Sequence, residues 1–197
     1  MVPSLEKATQ RFRPSFDLEK SFSGKVVGLD EAGIGCWAGD VFAGISYVPF
    51  DTSPIILQEL NDSKKLSLKK RETLFKSFDD YGIKWAVAAA SLEEIDTLNI
   101  RGAALLAMER AFSMLDLSPD MALIDGTMKP TLPCPLKTVI KGDQKSYSIA
   151  AASIATKVVR DQHMAHLCKE YPHYGWDKNF VDSITACQKQ RFPKLAQ

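Results

Sequence analysis

The chain becomes strongly strand-forming at residues 25–35, which read KVVGLDEAGIG. Its β-branched and apolar residues predict a strand that ends at Asp30, and the glycine-bearing residues 32–35 predict a turn directly after it. A second apolar run over residues 41–48 follows closely enough to pair with the first as a β-hairpin. These residues therefore predict a sheet that begins with a hairpin and places an acidic residue where its first strand ends.

Strands and helices alternate along the rest of the chain. Apolar residues at helical spacing predict helices over residues 67–81, 92–98, 100–115, 146–171 and 180–190. Short apolar runs predict further strands over residues 85–90, 121–126 and 137–140. A hairpin followed by alternating strands and helices is typical of a mixed sheet covered by helices, so the predicted fold class is α/β.

The chain is predicted to form one domain with short additions at both ends. Its 197 residues contain no internal repeat and no linker-like segment between the predicted elements. Residues 1–22 are polar and interrupted by Pro3 and Pro14, so they are expected to form a tail or a short leading helix. Residues 23–197 are expected to form the domain itself, with C-terminal helices from about residue 177.

The composition argues against several classes of protein. Hydrophobic residues make up 45% of the chain and charged residues 25%, the balance of an ordinary globular protein. No apolar run approaches the roughly 20 residues of a membrane-spanning helix, and the polar N-terminus lacks the apolar core of a secretory signal. The four cysteines form no CxxC pair, which argues against a zinc site or a disulfide framework. A cytoplasmic protein with no membrane association is therefore expected.

The positive charge of the chain is concentrated in two segments. The formal net charge is only +1, well below the basic balance that favours phosphate binding. Basic residues nevertheless cluster over residues 64–71 and again over residues 137–160. A group of metal-binding carboxylates would cancel the charge of such a basic surface, so that the net charge stays near zero. Solvated helix faces would give the same clusters of basic residues.

Four acidic residues stand where carboxylates could meet at one edge of the sheet. Asp30, Glu31 and Asp125 lie at strand ends, and Asp143 lies in the loop before the long helix. Ligand sites in open α/β sheets gather beyond the carboxyl ends of strands, and oxygen-only ligands select Mg²⁺ or Mn²⁺. Neighbouring strand residues point to opposite faces, so Asp30 and Glu31 share a site only if this alternation relaxes at the turn or Glu31 contributes its backbone carbonyl. Each acid alone could equally serve a turn or a helix cap, so the residues permit a metal site without requiring one.

Five blocks of the chain resemble the ribonuclease HII family, the type 2 ribonucleases H. In chain order they are residues 28–35 (GLDEAGIG), 61–66 (NDSKKL), 124–126 (IDG), 141–146 (KGDQKS) with 148–161 (SIAAASIATKVVRD), and 171–175 (YPHYG). The fourth block is the longest and the most specific. One block could arise by chance, whereas five in family order very rarely would, so the chain is identified as a divergent member of this family.

The resemblance implies a fold, a reaction and the residues that perform it. The implied fold is that of ribonuclease H, a mixed sheet of three antiparallel and two parallel strands flanked by helices. Members of the family hydrolyse RNA within RNA–DNA hybrids, use Mg²⁺ or Mn²⁺ in a two-ion mechanism, and leave a 5′-phosphate and a 3′-hydroxyl. The family's four catalytic, metal-binding acids correspond to Asp30, Glu31, Asp125 and Asp143. Asp30 would be the ligand that both ions share.

Substrate-binding residues carry over in the same way. The glycine-arginine-glycine loop of the family, which recognises the 2′-hydroxyl at an RNA–DNA junction, corresponds to Gly33, Ile34 and Gly35. The remaining residues expected to bind substrate are Lys64, Lys65 and Ser146. Neighbouring basic residues are expected to add contacts to the nucleic-acid backbone, namely Lys69, Lys70 and Arg71.

The long helix is expected to serve packing rather than chemistry. Small side chains over residues 150–153 should let it approach the sheet closely. Lys157 and Arg160 are expected at the surface or in an ion pair with Asp161, which follows Lys157 by four residues.

Two departures from the family pattern concern the recognition of a junction. Ile34 replaces the arginine of the loop, and by counting Asp182 falls where the family has a junction-sensing tyrosine. The prolines that usually follow the loop are also missing. Type 3 enzymes lack this arginine too, but they have a glutamate at the position of Asp143 and usually an additional N-terminal domain. The chain is therefore expected to be a type 2 enzyme with weakened incision at single embedded ribonucleotides.

Two other functions fit parts of the sequence. The chain could be a catalytically weak hybrid-binding protein of the same fold, or a two-metal nuclease that acts on DNA junctions. The four intact acids favour an enzyme over a binding protein, and the block at residues 148–161 argues against a DNA-junction nuclease. A monomeric endoribonuclease acting on RNA–DNA hybrids is the expected function.

Overall fold

Five strands form the sheet, in the spatial order β3-β2-β1-β4-β5. The computed structural model describes residues 13–36, 38–61 and 63–172, apart from the side chain of Lys65. The strands are β1 Val26–Ala32, β2 Val41–Tyr47, β3 Lys84–Ala90, β4 Met121–Asp125 and β5 Leu136–Val139. β1, β2 and β3 are antiparallel, whereas β4 runs parallel to β1 and β5 parallel to β4. The predicted mixed sheet, which begins with a hairpin, is confirmed.

Helices cover the sheet on both faces. The α-helices in the described ranges are α1 Pro54–Glu59, α2 Leu68–Lys76, α3 Leu92–Met114 and α4 Tyr147–Glu170. Single 3-10 turns occupy Glu19–Ser21, Ser63–Lys65, Asp79–Tyr81 and Gly142–Gln144. None of these helices, in the part of the chain that is described, is both long and apolar enough to cross a membrane.

Local sequence explains where most helices begin. α2, α3 and α4 each start after a serine whose hydroxyl accepts a hydrogen bond from a backbone N–H of the first turn, Ser67, Ser91 and Ser146. α3 joins the two helices predicted for its segment, and it kinks where Asn99 adopts a positive φ of 59°. The sequence did not predict α1, because Pro54 reads as a break. Proline is, however, well tolerated at the first position of a helix, where its missing N–H is not needed.

α4 packs closely on the sheet because glycines face it from two strands. A Cβ added to Gly28 would lie 2.2 Å from the backbone nitrogen of Ile149, and one added to Gly44 would lie 2.2 Å from Oγ1 of Thr156. The alanines of the first turns of α4 are fully buried against this face. The expected close approach is confirmed, and it depends on the strands as much as on the helix. The other face of the sheet packs against α3 in a separate apolar cluster.

Residues 13–22 pack against the start of α4. The ring of Phe16 meets that of Tyr147 edge-on at 4.8 Å between centroids. The carboxylate of Glu19 is buried and accepts hydrogen bonds from the Ser146 hydroxyl at 2.7 Å and from the Ser148 N–H at 3.0 Å. This part of the predicted leading tail or helix therefore holds one 3-10 turn that is anchored to the domain. Residues 1–12 and the predicted C-terminal helices lie outside the described residues.

Candidate active site

The carboxyl ends of β1 and β4 lie side by side in the middle of the sheet. The two strands are parallel, and Leu29 lies opposite Ile124. The next residue on each strand is acidic, Asp30 on β1 and Asp125 at the end of β4. Neighbouring parallel strands therefore deliver two carboxylates to the same edge of the sheet.

Asp143 reaches this edge from the loop after β5. The backbone passes through Lys141, which has a positive φ of 55°, and enters the 3-10 turn that carries Asp143. The N–H of Gly142 donates to Oδ1 of Asp125 at 2.6 Å. This hydrogen bond fastens the loop to the end of β4, so it fixes the turn that holds Asp143 relative to Asp125.

The four acids line one small cavity. Asp30, Glu31, Asp125 and Asp143 border a space of about 70 Å³. The other residues that line it are Ala32, Ser63, Lys64, Ser153 and Lys157. The structure therefore brings together all four of the acids singled out in the sequence, and it adds two serines and a second lysine that sequence reasoning did not place there.

Asp30 is the most enclosed of these acids, with 7% of its surface exposed. Its Oδ1 accepts a hydrogen bond from the N–H of Glu31 at 2.8 Å, and its carboxyl group also bonds to the side chain of Ser153. Burial raises the pKa of Asp30 well above its ordinary value, and the negative charges of Glu31 and Asp125 raise this pKa further. The site therefore concentrates negative charge that a bound cation would stabilise.

Asp30 and Glu31 lie on opposite faces of β1. The predicted end of this strand at Asp30 is wrong, because the strand continues through Ala32 and Glu31 still pairs with Ala43 of β2. Asp30 faces α4, because its partner across the strands is Gly44, which abuts Thr156. By strand alternation Glu31 belongs to the opposite face. Both still border the cavity, because the cavity lies at the end of the sheet rather than over one face.

The donor set around this cavity suits a hard divalent cation. Among the described residues, no group of three or more His, Cys, Asp or Glu side chains is arranged to hold a metal ion as it stands. Oδ1 of Asp30 and Oδ1 of Asp125 instead accept backbone hydrogen bonds. Four carboxylates around a single cavity nevertheless match the oxygen ligands that Mg²⁺ and Mn²⁺ take.

The glycine loop forms a tight turn beside this cavity. The N–H of Cys36 donates to the carbonyl of Gly33 at 3.0 Å, and Gly33 has a φ of 113°, which side-chain-bearing residues rarely adopt. Gly35 is exposed, whereas Ile34 is half-buried and packs against the apolar cluster between the sheet and α3. The side chain that replaces the family's arginine therefore contributes to the core.

The basic cluster of residues 64–71 divides between exposed and buried side chains. Lys64 is exposed and lines the acid cavity, and the side chain of Lys65 lies outside the described residues. Lys69 is exposed, and Lys70 forms an ion pair with Glu59 of α1. The expected backbone contact by Arg71 is wrong, because its side chain is buried and donates to protein acceptors.

Ser146 has a structural role in place of the expected contact with substrate. It is fully buried, its hydroxyl donates to Glu19, and the same oxygen accepts from the N–H of Ile149 as the N-cap of α4. Its side chain is therefore committed within the protein. A serine directly before an alanine-rich helix carries the signal for this role in the sequence.

A buried ion cluster lies behind the acid cavity. Lys157 donates to Asp161 at 2.8 Å, as expected, and Arg71 of α2 donates to the other carboxylate oxygen at 3.1 Å. The alternative surface placement of Lys157 and Arg160 is wrong, since their exposed fractions are 4% and 1%. The sequence held one sign of this cluster, because Ser153, Lys157 and Asp161 follow one another at intervals of four residues and so share a face of the helix.

Comparison with known proteins points to one family. The family model described as "Ribonuclease HII" matches residues 27–183. The ribonuclease HII of Caulobacter vibrioides is 52% identical over 151 residues, which cover 77% of this chain and 70% of that protein. The ribonuclease HII of Dechloromonas aromatica is 49% identical over 156 residues, covering 79% of this chain and 78% of the relative.

Solved structures with the same fold are more distant in sequence. The ribonuclease H2 of Pyrococcus horikoshii superposes with a TM-score of 0.71 at 21% identity, covering 88% of this chain and 90% of that one. Bst-RNase HIII, solved in complex with Mn²⁺, superposes with a TM-score of 0.63 at 19% identity, covering 86% of this chain and 59% of its own. These likenesses establish the ribonuclease H-like fold.

Proposed function

The chain belongs to the ribonuclease HII family, and from this premise we propose how its own residues carry out the family's reaction. It is a ribonuclease H, a metal-dependent endoribonuclease that acts on RNA–DNA hybrids. We propose that Asp30, Glu31, Asp125 and Asp143 form its catalytic centre and that hydrolysis leaves a 5′-phosphate and a 3′-hydroxyl. The observation that carries this proposal is that all four acids border one cavity at the carboxyl ends of β1 and β4.

The same four acids would hold two divalent cations, Mg²⁺ or Mn²⁺, with Asp30 shared between them. Burial of Asp30 next to Glu31 and Asp125 supports this assignment, because it creates a negative site that a cation stabilises. A fold relative, Bst-RNase HIII, has been solved in complex with Mn²⁺. Two bound ions would supply charge stabilisation for the attacking and the leaving oxygen of the phosphodiester.

The remaining contacts to substrate come from two loops that flank the cavity. Gly33, Ile34 and Gly35 would approach the sugar of the ribonucleotide, and backbone amides of the two glycines would donate to its 2′-hydroxyl. Lys64 and Lys65 would contact phosphates, and exposed Lys64 already lines the cavity that the acids border. Loss of the arginine at Ile34 should weaken incision at single embedded ribonucleotides.

The alternative of a catalytically weak hybrid-binding protein is not favoured. The relatives that match most of the chain are named as enzymes, and the four acids stand together at the cavity. A monomeric state, a cytoplasmic location, and a catalytic domain over residues 23–197 with helices from about residue 177 stay predictions.

Hybrid cleavage in defined metal ions tests the catalytic centre. We expect cleavage of the RNA strand to stop in EDTA and to return with Mg²⁺ or Mn²⁺. Asp30→Asn should abolish it with little change in volume, and Asp125→Asn and Asp143→Asn should each lower kcat by orders of magnitude. Asp116→Asn, at an exposed position of the described chain, is the matched control and should cleave normally. Undiminished turnover by Asp30→Asn would refute the proposed centre.

A further inference from the structure

A short turn over residues 63–66 holds a basic side chain beside the acids. The 3-10 turn Ser63–Lys65 is closed by a hydrogen bond from the N–H of Leu66 to the carbonyl of Ser63 at 3.3 Å. Buried Ser63 and exposed Lys64 both line the acid cavity. One long hydrogen bond gives such a turn little rigidity of its own, so the position of Lys64 depends on what else holds the turn.

Arg71, near the start of α2, donates hydrogen bonds to both ends of the 63–66 turn. Its Nη1 donates to the carbonyl of Ser63 at 2.7 Å and to the carbonyl of Leu66 at 2.9 Å. Its Nη2 donates to Oδ2 of Asp161 on α4 at 3.1 Å. A planar guanidinium can satisfy these three acceptors together because its donors are held in a fixed fork.

Asp161 links Arg71 to α4, the helix that packs against the acids. Its second oxygen, Oδ1, accepts from Lys157 one helical turn earlier at 2.8 Å. One turn earlier again, the hydroxyl of Ser153 lies 2.9 Å from that of Ser63 and also bonds to Asp30. One face of α4 therefore joins the acid centre and the 63–66 turn in a single buried network.

We propose that Arg71 and Asp161 are positioning residues that hold the 63–66 turn so that Lys64 meets the phosphate backbone of the hybrid beside the acids. This inference rests on the proposed function, in which Lys64 contacts a phosphate. A turn fixed before substrate arrives lowers the cost of ordering on binding, so the network should affect affinity more than the chemical step. Neither residue touches substrate in this arrangement, since both side chains are buried.

The decisive variant is Arg71→Lys. It keeps a positive charge for Asp161 but cannot reach two carbonyls and a carboxylate at once. Arg110→Lys is the matched control, because Arg110 also bonds to a carboxylate and a carbonyl, those of Glu94 and Ala89, but on the side of the sheet covered by α3. Folding of both variants is checked by urea denaturation.

Affinity for an RNA–DNA hybrid and hydrogen exchange of backbone amides are measured on the full chain in EDTA, where the hybrid is bound but not cut. Arg71→Lys should raise the exchange rate of the Leu66 amide about tenfold or more relative to amides of β1, and should weaken the Kd for a hybrid roughly three- to tenfold, the effect of about one phosphate contact. Arg110→Lys should change neither. In Mg²⁺, KM should rise for Arg71→Lys while kcat stays within about twofold, because binding energy is lost equally from ground and transition states.

A double variant shows whether Arg71 acts through Lys64. Lys64→Ala alone should weaken binding and lower the slope of log Kd against log salt by about one unit. Adding Arg71→Lys to Lys64→Ala should cause no further loss of affinity if the two act in one chain of contacts. Three results would each overturn the inference. Arg71→Lys could weaken hybrid binding by the same factor with and without Lys64, or it could leave the exchange rate of the Leu66 amide unchanged. The third is a Lys64→Ala chain whose slope of log Kd against log salt equals that of the wild type. Failure of the proposed function would appear separately, as a wild-type chain without metal-dependent cleavage.

Discussion

At the scale of single residues, Ile34 distinguishes this chain from the pattern of its family. The family's arginine offers up to five donors at this position, whereas the isoleucine offers none and packs into the apolar cluster between the sheet and α3. Recognition of one ribonucleotide in DNA depends on a few hydrogen bonds around a single 2′-hydroxyl. The second departure, at Asp182, lies outside the described residues.

We expect the wild-type chain to prefer hybrids with several consecutive ribonucleotides over duplexes with only one. A lost hydrogen bond to a charged group is worth roughly 1.5–3 kcal/mol, or about one to two decades in kcat/KM. Ile34→Arg should narrow the ratio between the two substrates, whereas Ile34→Leu, which restores no donor, should leave it unchanged. Steady-state cleavage of matched duplexes measures the ratio, and equal rates in the wild type would contradict the prediction.

At the scale of elements, the contact between α4 and the sheet sets the geometry of the site. α4 carries Ser153 and Lys157 to the cavity, and it reaches the sheet only because Gly28 and Gly44 leave room. At Gly28 the obstacle to any side chain is the helix backbone itself, at Ile149 and Ser148. Side-chain rearrangement cannot relieve such a contact, so the helix would have to move.

Gly28→Ala should therefore lower both stability and activity. An extra methyl group in a filled interior lowers the free energy of unfolding by about 1–3 kcal/mol. Because the methyl group of Gly28→Ala would meet helix backbone, we expect a loss at or above the upper end of this range. Gly102→Ala in α3 is the control, because an added Cβ there would lie 3.0 Å from one side-chain atom, Cβ of Leu98, rather than 2.2 Å from helix backbone, and alanine favours a helix. Urea denaturation gives the free energy of unfolding, and hybrid cleavage gives kcat. A Gly28→Ala chain as stable as the wild type would contradict the close approach of α4 to β1 at Gly28.

At the scale of the whole molecule, the acid centre should make stability depend on pH and on metal. The pKa of Asp30 is raised in the folded state, first by burial and then by Glu31 and Asp125. Between its ordinary value near 3.8 and the raised folded value, the unfolded chain has lost this proton while the folded chain still holds it. Stability conferred by the protonated carboxyl is present below the ordinary pKa and is lost as pH rises through this window.

Without metal, Asp30→Asn should therefore be more stable than the wild type at neutral pH. The difference in free energy of unfolding between the two chains should become smaller at acid pH. Urea denaturation in EDTA from pH 4 to pH 8 measures both trends, with Asp116→Asn as the control for loss of an exposed acid. Adding Mg²⁺ should stabilise the wild type more than Asp30→Asn, because a ligand that binds the folded chain shifts the equilibrium toward it. An Asp30→Asn chain that is less stable than the wild type in EDTA would contradict this account.

The sequence alone determined most strands and helices of the described residues and the four acids proposed as the catalytic centre. Strands and helices depend on the period of apolar side chains and on hydrogen bonds a few residues away, so they can be derived from short stretches such as residues 25–35 and 146–171. Family-specific blocks contain Asp30, Glu31, Asp125 and Asp143, the four acids that border one cavity in the fold. α1 escaped prediction because a proline can begin a helix as well as break a chain.

Only the tertiary structure decided which charged and polar residues are buried and what they bind. Arg71 and Asp161 are 90 positions apart, and so are Ser63 and Ser153, while Glu19 and Ser146 are 127 apart. A buried charge is stable only with a partner, and such partners are brought together by the sheet and α4 rather than by neighbours in the chain. Arg71 was therefore predicted to contact substrate because it lies in a basic run, and Ser146 because it lies in a family block. In the fold both side chains form hydrogen bonds within the protein instead.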